Sequence, residues 1–85
     1  MNRLGIIRAR LQAAFSPHRL EVIDESDQHV GHAGHQGGGR HFAIVIASAT
    51  LGELPRIEAH RKIYALFADL MPDQIHALRI SIQSI

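Results

Sequence analysis

Two stretches of the chain repeat apolar residues at the three- and four-residue spacing of an amphipathic helix. The first runs from Asn2 to Phe15, and Ser16-Pro17 ends it because proline disfavours helical backbone in the residue before it. The second begins at Pro55 and is closed by Met71-Pro72-Asp73. We predict two helices, the second with an apolar stripe formed by Ile57, Ile63, Tyr64, Leu66, Phe67 and Leu70.

Three shorter segments have the composition of β-strands. Leu20–Asp24 alternates between two faces, and Phe42–Ala47 is apolar on both faces and rich in β-branched residues, which is typical of a central strand. From His76 to Gln83, apolar and polar residues alternate with a period of two, as in a half-buried strand. Thr50–Pro55 carries turn signals. The predicted order is helix, strand, strand, helix, strand.

The connections between these elements predict the topology. The link from the second strand to the third contains a helix, so it should be a right-handed crossover between parallel strands. We expect the first two strands to be antiparallel and both helices to cover one face of the sheet. The fold class is thus α/β (α+β), a single small domain over residues 1–85 with a three-stranded mixed sheet. Because parallel strands begin at the same edge, His76 should lie beside the segment that leads into the second strand.

That segment, residues 25–40, is rich in histidine and glycine. Neutral imidazole is the commonest metal ligand in proteins, and long loops in small domains are usually functional or disordered. We expect the loop to be flexible in the free protein, because glycine loses much backbone entropy on ordering. One metal would then be reached by His76 and by one or two of His29, His32 and His35. Whether His41 belongs to this metal site stays open, since its side chain fits either face of the sheet. The alternative to a metal site is a loop whose histidines and glycines only keep it soluble.

Composition limits the functions available to the chain. It has 85 residues, 46% hydrophobic, with nine Lys plus Arg against eight Asp plus Glu, too small a basic excess for a protein dominated by phosphate contacts. Nucleic-acid binding would need a local patch of basic side chains. The alternative explanation of such side chains is a helix face that is simply in contact with solvent. There is no cysteine, so thiolate ligands must come from another molecule. No apolar run approaches the roughly 20 residues that span a bilayer, and we expect a cytoplasmic protein. The patch would consist of Arg56, Arg61, Lys62 and Arg79.

An enzyme is the remaining class. Asp24, Glu25 and Ser26 stand near the histidines, and carboxylate with imidazole is the usual equipment for general acid–base catalysis. Nothing in the sequence fixes these groups around a substrate pocket, and a chain of this length leaves little room for one. We therefore predict that the protein is not an enzyme.

Several separated motifs, in the same order, resemble the BolA family. The resemblance implies a fold like the type II KH domain, no catalytic activity, and partnership with a monothiol glutaredoxin that shares a bridging [2Fe–2S] cluster. It also implies the family's older description as DNA-binding transcriptional regulators. A departure is Ala59, where the family usually has arginine. The motifs are Ala14-Phe15-Ser16-Pro17, Leu20 to Ser26, His41-Phe42, Ala59 to Tyr64 and Ile75-His76-Ala77-Leu78.

The same resemblance implies ligands for the cluster. It makes His76 the invariant ligand and His29 the second, with His32 or His35 as substitutes in a longer loop. Glutaredoxin and glutathione would supply the thiolates. The predicted function is a non-enzymatic adaptor in iron–sulfur trafficking or iron regulation, and the alternative is a DNA-binding regulator with a KH-like surface. KH domains grip the nucleic-acid backbone with a GXXG loop between two helices, and here the letters occur only at Gly31–Gly34, between strands.

Overall fold

The computed structural model describes residues 2–25 and 41–84. The predictions for the loop, and for His29, His32 and His35 within it, fall outside these residues. The elements occur in the predicted order, with a short extra helix after the second strand. They are α1 (Arg3–Phe15), β1 (Arg19–Asp24), β2 (His41–Ala47), α2 (Ala49–Gly52), α3 (Arg56–Leu66), a 3₁₀ turn (Ala68–Leu70) and β3 (Ala77–Ile82).

Helix α1 begins and ends where local chemistry predicts. The Asn2 side chain accepts a hydrogen bond from the Gly5 amide at 2.8 Å, which satisfies one of the amides that have no partner inside the helix. At the other end Ser16, the residue before Pro17, adopts a left-handed conformation with φ of 44°. The chain thus leaves the helix directly after Phe15.

The sheet has the order β1-β2-β3. Strand β1 pairs with β2 in the antiparallel direction, and β2 pairs with β3 in the parallel direction, with His41 opposite Ala77. The predicted mixed sheet and crossover are therefore confirmed. Strand β3 starts at Ala77, so His76 lies immediately before the strand that it was predicted to open.

The core lies between the sheet and the helices. Both long helices contribute fully buried side chains to one face of the sheet, which confirms that they cover the same side. On the other face of β2, Ala43 and Ala47 are also buried; their small side chains leave little surface to cover. The main core residues are Ile7, Leu11, Phe15, Val22, Phe42, Ile44, Ile46, Leu51, Ala59, Ile63, Phe67, Ile75 and Leu78.

The predicted apolar stripe of the second helix is wrong at Ile57 and Tyr64, which are 62% and 39% exposed. Ile63 is buried as predicted, and Ala59, which was not in the predicted stripe, is buried with it. At about 100° per residue, Ile57 lies on the side of the helix opposite Ala59. The small side chain of Ala59 forms part of the contact between α3 and the core, whereas the larger side chain of Ile57, two residues earlier, faces solvent.

The predicted turn at Thr50–Pro55 overlaps the four-residue helix α2, which the periodicity did not indicate. Ser48 holds its start: the hydroxyl accepts from the Leu51 amide at 3.4 Å and donates to the Phe15 carbonyl at 3.0 Å. Ser48 is fully buried, and Leu51 packs into the core. The short helix thus depends on one capping residue and one apolar anchor, a signal too local for a periodicity argument.

Within residues 2–25 and 41–84, no helix is long and apolar enough to cross a membrane.

Candidate metal centre and basic surface

The start of β2 and the start of β3 bring two histidines together. His41 is the first residue of β2, and His76 is the exposed residue directly before β3. Their ring centroids are 5.3 Å apart, with an angle of 41° between the ring planes. The parallel register, in which His41 is opposite Ala77, produces this contact. The prediction that His76 lies at the edge where the chain enters β2 is confirmed.

The backbone holds both histidines in place. The Glu25 amide donates to the His41 carbonyl at 2.8 Å, which joins the end of β1 to the start of β2. Ile75, the residue before His76, is fully buried, and its amide donates to the Leu70 carbonyl at 3.0 Å. An exposed imidazole therefore stands between a buried residue and a paired strand. Such ligands lose little conformational freedom on binding.

An ion pair lies near this end of the sheet. Arg79 on β3 donates two hydrogen bonds to the carboxylate of Glu25, whose side chain is only 12% exposed. The hydrogen bond, and then the charge of the carboxylate, raise the pKa of the Arg79 guanidinium above its usual value. Arg79 is thus held by an acidic partner from the end of β1.

The donors in the described part of the chain are few and chemically uniform. Two imidazoles meet there, and no group of three His, Asp or Glu side chains among residues 2–25 and 41–84 is placed to hold a metal ion. The chain has no cysteine. A [2Fe–2S] cluster with two imidazole ligands on one iron still requires two thiolates on the other. The donor set fits the imidazole half of such a site and leaves the thiolate half to another molecule.

The four predicted nucleic-acid contacts do not form one surface. Arg56, Arg61 and Lys62 are exposed on α3, where Arg61 contacts Glu58 at 3.4 Å. Arg79 alternates with the buried Leu78 on β3 and therefore faces away from the helices, where it pairs with Glu25. The first three residues share helix α3 but are spread around it at about 100° per residue, and the fourth lies on the other side of the sheet.

A groove of about 410 Å³ lies between α2, the start of α3 and the end of β3, with Arg56 in its wall. The residues that join the two helices are Glu53-Leu54-Pro55, directly after Gly52, the last residue of α2. Proline stands where a GXXG loop would have its second glycine, so this connection between two helices lacks GXXG, as the sequence indicated. A Cβ atom at Gly52 would meet nothing within 4 Å. Packing therefore does not require glycine there, and its missing side chain leaves that wall of the groove open.

The other described histidines lie elsewhere. His60 is half-buried on α3 and lines a smaller groove of about 160 Å³ with Arg56 and Ile80. His18 is exposed beside the turn after α1, as predicted. Neither belongs to the pair at the strand starts.

Together these features define a class: a small α+β domain with a three-stranded mixed sheet, helices on one face and an exposed histidine before the last strand. The family model described as BolA-like protein matches residues 11–85. The chain belongs to the BolA family.

Individual relatives support this placement. A Sinorhizobium protein described as being in the cobS 5' region is 40% identical over 82 residues, covering 94% of this chain and 88% of its own. The DNA-binding transcriptional regulator BolA of Haemophilus influenzae is 35% identical, covering 88% of this chain and 70% of its own. BolA1 from Arabidopsis thaliana has a similar structure, with a TM-score of 0.84 and 31% identity over 99% of this chain and 93% of its own.

The sequence alone leaves the position of His41 open, and the structure places it in the pair. Period-two alternation puts His41 on the face of Ala43 and Val45, away from the helices, and His76 on the face of Leu78, toward them. Alternation alone therefore does not indicate a contact. At the ends of two neighbouring strands, however, long side chains can meet whichever face they leave from. The contact follows from the parallel register, in which His41 and Phe42 lie opposite Ala77 and Leu78.

Proposed function

We propose that this protein is a non-enzymatic adaptor that binds a monothiol glutaredoxin and shares a [2Fe–2S] cluster with it, with His76 as the chain's principal ligand. The observation that carries the proposal is the exposed imidazole of His76, fixed between buried Ile75 and strand β3. A ligand offered to a second protein must be accessible and must start from a defined position, and His76 is exposed and lies between two residues whose backbone is held.

The chemistry of the donors supports a shared site. Imidazoles are the iron ligands that this chain offers, and because it has no cysteine, glutaredoxin with glutathione would supply the thiolates. When bound, the cluster would supply one-electron redox chemistry or serve as cargo. The chain's own contribution is to hold one imidazole in place, with the loop histidine His29, and His32 or His35 as substitutes, assigned by family resemblance.

Anaerobic cluster reconstitution tests the proposal. The chain is mixed with a monothiol glutaredoxin and glutathione, and visible absorption and circular dichroism are recorded. We expect His76→Ala to abolish the spectrum specific to the complex, whereas His18→Ala, a matched loss of an exposed histidine, leaves it unchanged. Association is measured separately, because the two proteins can bind through other surfaces. If His76→Ala kept the spectrum and His60→Ala removed it, the ligand would lie on α3 and the assignment would be wrong.

The loop histidines should be individually less important. Each has neighbours of the same type that can replace it, whereas His76 is fixed by strand pairing. We expect His29→Ala to weaken or alter the spectrum, and His32→Ala or His35→Ala alone to change it little. A complete loss in His32→Ala, with His29→Ala silent, would move the second ligand to position 32.

A second function is favoured by the groove at the α2–α3 junction. KH domains bind the nucleic-acid backbone at a connection of this kind, Arg56 lies in the groove wall, and the Haemophilus relative is named a DNA-binding regulator. Glu53 within the connection and the near-neutral net charge argue for weak binding. We rank this function below the adaptor.

Labelled DNA, offered as duplex and as single strand over a range of salt concentrations, tests this function. Charge reversal at Arg61 and Lys62 should weaken binding at all sequences alike. It should also reduce the slope of log K against log salt by roughly 1 for each phosphate that the variant no longer neutralises. The control is Arg8→Glu, which reverses an exposed charge on α1. Tight, sequence-selective binding by the wild-type chain at physiological salt would reverse our ranking.

A further inference from the structure

His41 and His76 form a pair that can be considered apart from the loop. Metal–nitrogen bonds to histidine are about 2.0–2.1 Å long, so two imidazoles on one tetrahedral ion hold their ring centres roughly 5 Å apart. The observed separation of 5.3 Å matches that of two ligands on a single ion. His41 is paired with Ala77 in the sheet, and His76 stands between Ala77 and the hydrogen-bonded Ile75, so the backbone at both residues needs little ordering before they bind together.

We propose that His41 and His76 bind one divalent transition metal ion of the borderline class, such as Zn²⁺, in this chain alone and without a partner protein. Zn²⁺ takes four ligands, and no group of three His, Asp or Glu donors occurs in the described part of the chain. The described residues therefore fill two of the four positions, and once the loop histidines are replaced, water fills the other two. Each imidazole binds the ion through one ring nitrogen and leaves the other for a hydrogen bond.

This site would share His76 with the proposed cluster, so the two metals would exclude each other. A free divalent ion would then compete with cluster assembly. The single ion binds to the isolated chain and needs no glutaredoxin. The zinc site can therefore fail while the adaptor proposal stands, and the reverse also holds.

Ring packing is the competing explanation of the contact. Aromatic rings commonly sit about 4.5–7 Å apart without a metal. The two explanations differ in what His41→Phe does, since phenylalanine keeps a planar ring at the strand start and removes the ligand nitrogen. A packing contact would survive this change, whereas a metal site would not.

The test uses the full chain with His29→Gln, His32→Gln and His35→Gln, so that the loop offers no imidazole. Zinc chloride is titrated while the Cε1–H signals of the remaining histidines are followed by NMR at neutral pH. We expect the His41 and His76 signals to shift together and to saturate at one equivalent, with His18 and His60 unmoved. With His41→Phe added, the His76 response should be lost at the same zinc concentrations.

Three results would overturn the proposal. They are a response of His41 and His76 at different zinc concentrations, no response of either signal, and an unchanged response of His76 after His41→Phe. A dispersed amide spectrum shows that each variant is folded. If His41→Phe does not fold, His41→Gln also removes the ligand and tests whether the zinc response of His76 depends on His41, although it does not keep the ring. The first titration needs no change at position 41.

Discussion

The helix-covered face of the sheet and the end of the sheet where β2 and β3 begin are built on different principles. On the covered face, Ile7, Ile44 and Ile63 are fully buried and form one continuous apolar cluster. At the strand starts, His76 is exposed, and Arg79 and Glu25 form an ion pair. The first region has almost no chemistry to offer a ligand, and the second has almost no apolar area to contribute to stability.

This difference separates the two roles of the chain by position. Burial of apolar surface stabilises the fold, while the polar end is held in place by the strands that the core supports. Substitutions on the covered face should change stability, and substitutions at the strand starts should change binding. Four measurements test that division.

The largest effect should come from Ile63→Ala on α3. Ile63 is fully buried, and truncation of a buried isoleucine costs about 2–5 kcal/mol through lost burial and the cavity left behind. Ile57→Ala is the matched control, since the same residue type on the same helix is 62% exposed and its loss should cost less than about 0.5 kcal/mol. Urea denaturation measures both. Equal losses would mean that α3 is packed differently from the structure.

A smaller loss should follow Ser48→Ala. Its hydroxyl caps α2 and donates to the Phe15 carbonyl in a buried position, and loss of such a group costs about 1–2 kcal/mol. Ser81→Ala, on the exposed side of β3, is the control. The same denaturation experiment applies. If Ser48→Ala matched the control, the cap would contribute nothing measurable to stability.

The Arg10–Asp69 pair should make a small contribution that depends on pH. Two hydrogen bonds, at 2.7 and 3.0 Å, lower the pKa of the Asp69 carboxyl, first through hydrogen bonding and then through charge. Because the folded pKa is the lower one, the stabilisation is present above the unfolded value of about 3.9 and is lost as pH falls through the folded pKa.

The measurement is the difference in unfolding free energy between wild type and Asp69→Asn from about pH 6 to about pH 2. We expect wild type to be slightly more stable at the upper end, and the difference to shrink below a pH of about 4. Asp73→Asn, an exposed carboxylate in the next turn, is the control. A difference that grew on acidification would have the wrong sign for this pair.

The smallest effect on stability should be that of His76→Ala. An exposed side chain outside the core should cost less than about 0.5 kcal/mol when truncated. The same substitution is expected to abolish the cluster spectrum, so one variant separates the two regions. Thermal unfolding of the isolated chain provides the measurement. A loss of stability as large as that of Ser48→Ala would show that residues at the strand starts also contribute to the stability of the fold.

Most of the fold could be predicted from periodicity and chain connectivity. Ser16-Pro17 marked the end of α1, FAIVIA marked the central strand, and the helix-containing crossover implied parallel β2 and β3. Helix α2 and the exposed position of Ile57 could not be predicted, because a buried serine hydroxyl and a small alanine contact decide them. Neither leaves a periodic signal.

The position of the candidate site could be predicted from the sequence, but only some of its residues could. Parallel strand starts placed His76 at the correct edge, but alternation alone could not show that His41 reaches it. The acidic partner of Arg79 was also invisible, because Glu25 follows a strand two positions away in the sheet. Pairs across a sheet depend on register, which one sequence does not specify.

The Tyr64 hydroxyl donates to the Leu78 carbonyl at 3.0 Å, and this bond has a consequence for self-association. In the described part of the chain β3 has a neighbouring strand on one side only, and an edge strand can template pairing with another molecule. The Tyr64 side chain, reaching this strand from α3, occupies one of its carbonyls with a partly exposed ring. A single phenolic group thus helps to keep the edge beside the candidate site from joining the edge of a second copy in concentrated solution.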